Sequence, residues 1–78
     1  MSVTPEEIKG WLEVGLPDAD IKVVGDGQHF EAKIITDSFV GKSKLERHRM
    51  VYAALGDKMQ STIHALSMQT LTHQENEG

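Results

Sequence analysis

Residues 39–49 read FVGKSKLERHR, and this stretch decides how the rest of the chain is arranged. A turn at Gly41 is followed by Ser43, a residue type that favours the N-cap of a helix. Glu46 stands three positions later as its reciprocal partner. The segment also holds four of the eight Lys and Arg residues of the chain. It therefore predicts the start of a central helix, from about Lys44 to about Leu55, with positive charge gathered at its N-terminus.

The central helix has a candidate buried face. At about 100° per residue, one stripe of side chains is predicted to pack against a core. Its members are Leu45, His48, Val51, Tyr52, Leu55 and Met59. A histidine in such a stripe is usually satisfied by a backbone carbonyl, so we interpret His48 as structural.

Four cations flank or precede this stripe and form what we call the basic segment: Lys42, Lys44, Arg47 and Arg49. Two interpretations stay open for them. They are either the ordinary solvated charges beside an amphipathic helix, or a surface that binds phosphate or a partner.

Length and composition limit the classes of protein to consider. The chain has 78 residues, a formal net charge of −4 and no cysteine. It therefore predicts one small domain without disulfides or thiol ligands. The lack of Cys fits a reducing compartment, and we expect a cytoplasmic protein. The opening residues, MSVTPEE, are neither basic nor apolar, and no apolar run reaches the length of a membrane span, so we expect no secretory signal and no membrane contact.

Local signals place the other elements. Thr4, Pro5 and Glu7 predict a first helix that ends at Gly15. Strands are predicted at residues 21–24 and 29–37, joined by a hairpin at Asp26-Gly27, and at residues 63–70. Thr72 and Glu75 would cap a last short turn, and residues 73–78 are expected to be a frayed tail.

The predicted order is α-β-β-α-(α)-β, in which the bracketed helix is a short turn at residues 58–61. A hairpin followed by a helical crossover predicts an α+β domain with a mixed three-stranded sheet covered by helices on one face. Residues 1–78 are expected to form this single domain.

The sequence offers no evident catalytic set. GKS at residues 41–43 has the tail of a phosphate-binding loop, but the position that needs the first glycine holds Thr36. Without Cys, and with serines in caps, loops or a strand, no nucleophile is paired with a base. We therefore predict that the protein is not an enzyme.

His29 and His64 are the candidate metal ligands. Each lies at a strand end or just inside one, and the two predicted strands belong to the same small sheet. Two imidazoles near a sheet edge would supply half of a metal site, with the other half coming from elsewhere. Spacing alone is weak support, because the two histidines are 35 residues apart in sequence.

Two segments, FVGKSKLERHRMVYAAL and IHALSMQTLT at residues 39–55 and 63–72, resemble the BolA/IbaG family of small proteins. The most specific positions are Leu45, the Arg47-His48-Arg49 run and residues 63–67, and the hairpin GDGQHFEA resembles the IbaG-type branch. The similarity covers nearly the whole chain. It implies an α-β-β-α-α-β arrangement akin to the class II KH fold and no enzymatic activity.

Members of that family pair with monothiol glutaredoxins and share a [2Fe-2S] cluster in the heterodimer. The resemblance therefore implies this partner and this cofactor, with no cluster bound by the chain alone. It implies His64 as the ligand from the last strand and His29 as the ligand from the loop between the first two strands. A glutaredoxin cysteine and a glutathione thiolate complete the set. The implied role is iron-sulfur delivery or iron and redox regulation.

The family interpretation carries two further expectations. His64 should reach the surface at the start of the last strand, which periodicity alone does not decide. The isolated chain is expected to be a monomer or a weak homodimer.

Two alternatives use the same fold. A KH-like transcriptional or stress regulator would bind DNA or RNA through Lys42, Lys44, Arg47 and Arg49, although the Gly-x-x-Gly loop of KH domains is missing. Its binding should weaken steeply with salt. A pure interaction module would instead bind glutaredoxin without metal, and its histidines would be incidental.

Overall fold

The structure, a computed structural model, describes residues 3–61, 63 and 65–78. Its elements follow the predicted α-β-β-α-(α)-β order. In chain order they are α1 (Pro5–Gly15), β1 (Asp20–Gly25), β2 (His29–Ile35), a 3-10 helix (Asp37–Phe39), α2 (Lys44–Leu55), α3 (Lys58–Ser61), β3 (Ala65–Leu71) and α4 (His73–Glu77). None of the helices in the described part of the chain is long and apolar enough to cross a membrane.

Strand β2 is the centre of the sheet. It pairs antiparallel with β1 through the hairpin and parallel with β3 after the helical crossover, so the strand order is β1-β2-β3. The predicted mixed three-stranded sheet is confirmed. The third strand, Ala65–Leu71, excludes Ile63, which was predicted to open it, and ends one residue later than predicted. Strand β2 ends at Ile35 because the Thr36 hydroxyl accepts a hydrogen bond from the Ser38 N–H at 3.1 Å and turns the chain into the 3-10 helix.

One face of the sheet carries the core. Phe30, Ala32 and Ile34 alternate along β2 and are buried against α1 and α2, whose buried residues are Ile8, Leu12, Val51 and Leu55. The intervening residues Glu31 and Lys33 are exposed on the other face. The predicted half-buried alternation of β2 is therefore confirmed, and it places the polar face of the sheet away from the core helices.

Reciprocal caps set the helix starts. At each of three helices the cap hydroxyl accepts from the backbone N–H three residues on, and the Glu there accepts from the cap backbone N–H; the pairs are Thr4–Glu7, Ser43–Glu46 and Thr72–Glu75. Helix α2 begins and ends where the sequence predicts. Gly56 follows it with a φ of 62°, a backbone conformation that glycine adopts without strain.

The buried face of α2 differs from the predicted stripe. Leu45 and Tyr52 are 60% and 43% exposed, whereas Val51 and Leu55 are buried. The helix is rotated so that Arg47, one turn before Val51, faces the protein in place of Leu45. The prediction was wrong for Leu45 and Tyr52 because apolar periodicity does not count a charged residue whose stem packs inward.

Candidate functional site

His29 is presented by a tight turn at the start of β2. The Asp26 carboxylate accepts hydrogen bonds from the backbone N–H groups of Gln28 and His29, at 3.0 and 2.9 Å. These two hydrogen bonds lower the pKa of the Asp26 carboxyl, and the bond from the His29 N–H has the larger effect. Gly27 has a φ of 103°, which suits glycine in such a turn. The turn fixes the backbone of His29, and the residue itself is exposed.

The parallel pairing of β2 and β3 places His29 beside the start of the last strand. His29 is the register partner of Ala65, the residue that follows His64 in sequence. His64 itself lies outside the described residues, so the expectations that it is a ligand and that it reaches the surface stay predictions. The structure thus brings one predicted ligand next to the strand position that adjoins the other.

The donor set of the described chain is small. Within residues 3–61, 63 and 65–78, no group of three or more His, Asp or Glu side chains gathers closely enough to hold a metal ion. The chain also has no cysteine. A metal held at His29 would therefore need at least one ligand from outside the described residues. This donor set fits a shared site and does not fit a cluster bound by the described residues alone.

Arg47, a predicted partner-binding residue, is instead bound within the protein. Its guanidinium donates to the carbonyls of Lys42 and Thr70 at 3.0 and 3.1 Å, and to both carboxylate oxygens of Glu75 at 2.7 and 3.2 Å. It also lies over the Phe39 ring, 5.7 Å from the centroid. With a side chain only 13% exposed, Arg47 joins α2 to β3 and α4. Its placement argues against it as a free binding group.

The same contacts correct the expectation for the chain end. Residues 73–78 were predicted to be frayed, but His73–Glu77 forms the capped helix α4. Glu75 holds this helix to Arg47, and the His73 ring is 3.0 Å from the Asp37 carboxylate. That contact is the largest cause that lowers the pKa of the Asp37 carboxyl. Fraying was predicted because the partners of α4, Arg47 and Asp37, are distant in sequence.

The Arg47–Glu75 pair predicts an acid-sensitive stability. Hydrogen bonds from Arg47, followed by the backbone N–H of Thr72, lower the pKa of the Glu75 carboxyl from 4.5 to about 2. Because the folded pKa lies below the unfolded one, this contribution is complete above about pH 5 and is lost as the pH falls towards about 2. Urea unfolding at a series of pH values should show a smaller acid-induced loss of stability for Glu75→Gln than for wild type.

A glutamine at position 75 can still close the capping box, so the substitution chiefly removes the titrating charge. Glu77→Gln on the same helix is the matched control, because Glu77 makes none of these contacts, and it should keep the wild-type pH dependence. Parallel stability curves for wild type and Glu75→Gln would contradict the assignment.

The other three residues of the basic segment lie on the surface. Lys42, Lys44 and Arg49 are exposed, and none of them forms an ion pair with another described residue. Lys42 and Lys44 line an open groove of about 460 Å³ beside Met68 and Thr70 of β3. The structure therefore divides the basic segment into one internal cation and three external ones.

His48 departs in part from its predicted environment. Its Nε2 atom is buried and has no hydrogen-bond partner among the described residues. No described residue supplies the predicted backbone carbonyl at that nitrogen. A buried ring nitrogen that lacks a hydrogen-bond partner lowers the stability of the folded state.

The roles of two site residues were only partly predicted from the sequence. Asp26 was identified only as a hairpin residue, although it also fixes the backbone of His29. The Asp26-Gly27 turn signal offered a route to this role, because an Asp side chain in a turn often accepts from the backbone two or three residues on. Glu75 was identified only as a cap. Its pairing with Arg47, 28 residues away, left no local signal.

Comparisons with known proteins agree on one family. The model of the family described as BolA-like protein matches residues 17–75. A solved bolA protein homologue from Coxiella burnetii is 49% identical, with a TM-score of 0.90 over 97% of this chain and 99% of that one. Protein BOLA2 of Arabidopsis thaliana is 41% identical over 70 residues, which are 85% of this chain and 74% of the relative.

A third relative differs in length. The "DNA-binding transcriptional regulator BolA" of Escherichia coli (strain K12) is 41% identical over 54 residues, or 69% of this chain. The match covers 51% of that relative. This chain therefore spans about half the length of the E. coli protein.

Proposed function

Because this chain belongs to the BolA-like protein family, we propose that it acts as the partner of a monothiol glutaredoxin and shares a [2Fe-2S] cluster with it. His64 and His29 would be its two ligands, and a glutaredoxin cysteine and a glutathione thiolate would complete the set. The role would be iron-sulfur delivery or iron and redox regulation in a reducing compartment such as the cytoplasm, without catalysis by this chain.

The observation that carries the proposal is the pairing of His29 with Ala65 across β2 and β3. It puts an exposed imidazole beside the strand position that adjoins His64. Asp26 holds the backbone at His29 through two N–H groups, so the ligand starts from a fixed turn. Imidazole is a suitable ligand for iron, and replacing thiolate by neutral histidine raises a cluster's potential.

The proposal predicts how a reconstituted complex responds to histidine substitutions. A [2Fe-2S] cluster would be assembled anaerobically from this chain, a monothiol glutaredoxin and glutathione, and followed by visible circular dichroism. We expect His64→Ala to abolish the heterodimer spectrum, because it removes one of the two ligands from this chain. For the same reason, we expect His29→Ala to change the spectrum or to make the cluster less stable.

His73→Ala is the matched control. His73 is also exposed, but it lies in α4 and contacts Asp37 of the 3-10 helix rather than the β2–β3 pair. Its substitution should leave the spectrum unchanged. The proposal fails if wild type and all variants give the glutaredoxin homodimer spectrum. Binding of apo glutaredoxin with no heterodimer spectrum would favour the metal-free interaction module instead.

A second candidate function is nucleic-acid binding in transcription or the stress response. It is supported by the exposed cations Lys42, Lys44 and Arg49 and by the similarity to the E. coli relative, which is named as a DNA-binding transcriptional regulator. Arg47 is less suited to this role because Glu75 occupies its guanidinium. If nucleic acid is bound, affinity should fall steeply with salt and be lost in Lys42→Glu/Lys44→Glu, while His64→Ala should have no effect.

A further inference from the structure

The outer edge of β3 lacks the residues that usually prevent an edge strand from pairing with another chain. Among the described residues, no strand pairs with β3 on the side away from β2. The strand sequence, ALSMQTL, contains no charged residue, proline or glycine. Natural edge strands usually carry such residues, which discourage pairing with another chain. The opposite edge strand, β1, has Asp20, Lys22 and Gly25.

The direction of the backbone groups along β3 follows from two hydrogen bonds. The Leu71 carbonyl accepts from the Thr36 N–H at 3.0 Å, on the β2 side. The Thr70 carbonyl accepts from Arg47 on the opposite side. Because alternate residues of a strand direct their N–H and C=O to opposite sides, Leu66 and Met68 direct theirs outwards, as Thr70 does. Arg47 therefore caps the C-terminal end of the edge and leaves the part before it open.

The surroundings of this edge are positive. The open groove beside Met68 and Thr70 is lined by Lys42 and Lys44, which have no ion pair among the described residues. The carboxylate that lines the same groove, that of Glu75, is already neutralised by Arg47. The local charge is thus opposite in sign to the net charge of −4 of the chain.

We propose that the β3 edge binds an extended, acidic peptide segment of a partner protein, which adds to the sheet as a fourth strand. The backbone N–H and C=O groups of Leu66 and Met68 pair with the segment. Lys42 and Lys44 attract carboxylates on its side chains that face α2. A polypeptide fits this edge better than a phosphodiester backbone does, since it alone offers N–H and C=O groups at strand spacing. This inference does not depend on the cluster.

A short blocked peptide that alternates Glu and Val is a suitable probe. Titrated into the isotopically labelled chain without metal, it should shift the amide signals of Leu66 and Met68 and slow their hydrogen exchange. Lys42→Glu/Lys44→Glu should weaken binding by at least about tenfold. Lys22→Glu/Lys33→Glu on the open face of the sheet is the charge-matched control, and it should change affinity by less than about twofold.

Several results would overturn the inference. Strand pairing at this edge is ruled out if the amide signals of Leu66 and Met68 do not shift. It is also ruled out if a peptide N-methylated at alternate residues binds equally well. Shifts of the same amides with protein concentration alone would assign the edge to a second copy of the chain. Tighter binding of a single-stranded oligonucleotide at these amides would assign it to nucleic acid.

Discussion

Replacing Arg47 with methionine should destabilise the protein by about 1–2 kcal/mol, because it removes the donor of the part-buried Thr70 carbonyl and of two exposed acceptors. The guanidinium donates hydrogen bonds to the carbonyls of Lys42 and Thr70 and to the carboxylate of Glu75. Methionine keeps most of the aliphatic stem, so the loss reports the hydrogen bonds and the contact of the guanidinium with the Phe39 ring rather than a cavity. Urea unfolding followed by far-ultraviolet circular dichroism would measure it.

Arg49→Met is the matched control for this prediction. It removes the same charge from the same helix, but Arg49 is exposed, and its loss should change stability by no more than about 0.5 kcal/mol. Arg47→Lys should recover only part of the stability, since an ammonium group cannot reproduce the bidentate contact with Glu75. Equal effects of Arg47→Met and Arg49→Met would show that Arg47 is an ordinary surface cation.

Gly15→Ala should destabilise the protein by about 1–3 kcal/mol through overpacking. A Cβ atom at Gly15 would lie 2.5 Å from the Cβ of Ala54 and 2.9 Å from its Cα. Both atoms belong to the α2 backbone or are fixed to it, so no flexible side chain can move aside. The two helices would have to separate at the end of α1, which would loosen the packing over the core. Thermal and urea unfolding would measure the loss.

Gly10→Ala gives the opposite expectation in the same helix. No heavy atom lies within 4 Å of a Cβ placed there. Alanine has the higher helix propensity, so this variant should be more stable than wild type by up to about 1 kcal/mol. Comparing Gly15→Ala with Gly10→Ala therefore separates the effect of steric crowding from the effect of helix propensity. A stabilised Gly15→Ala variant would contradict the close approach of α1 and α2.

Local signals in the sequence predicted much of the fold. The Ser43–Glu46 cap predicted the start of α2, because its two residues are close enough in sequence to contact each other in any helix that begins there. The alternation of Phe30, Ala32 and Ile34 likewise predicted the buried face of β2. Each of these features depends on neighbours within a few residues.

Contacts between distant residues escaped prediction. Arg47 was assigned to the surface because it was placed on a flank of the apolar stripe, but Glu75 and Thr70, on elements much later in the chain, accept hydrogen bonds from its guanidinium. The same misassignment shifted the expected buried face of α2 towards Leu45 and Tyr52. For the candidate site, the sequence identified His29 and His64, while the pairing of His29 with Ala65 required the register of the sheet.

The most direct test of the proposed function is whether this chain supplies imidazole to the shared cluster. The chain would be labelled with ¹⁵N-histidine, assembled with unlabelled glutaredoxin and glutathione, reduced, and studied by pulsed electron paramagnetic resonance. We expect a ¹⁵N coupling of the size typical of iron-bound imidazole, and we expect His64→Ala to abolish it. Identical spectra from the labelled and unlabelled chains would show that no histidine of this protein binds the cluster.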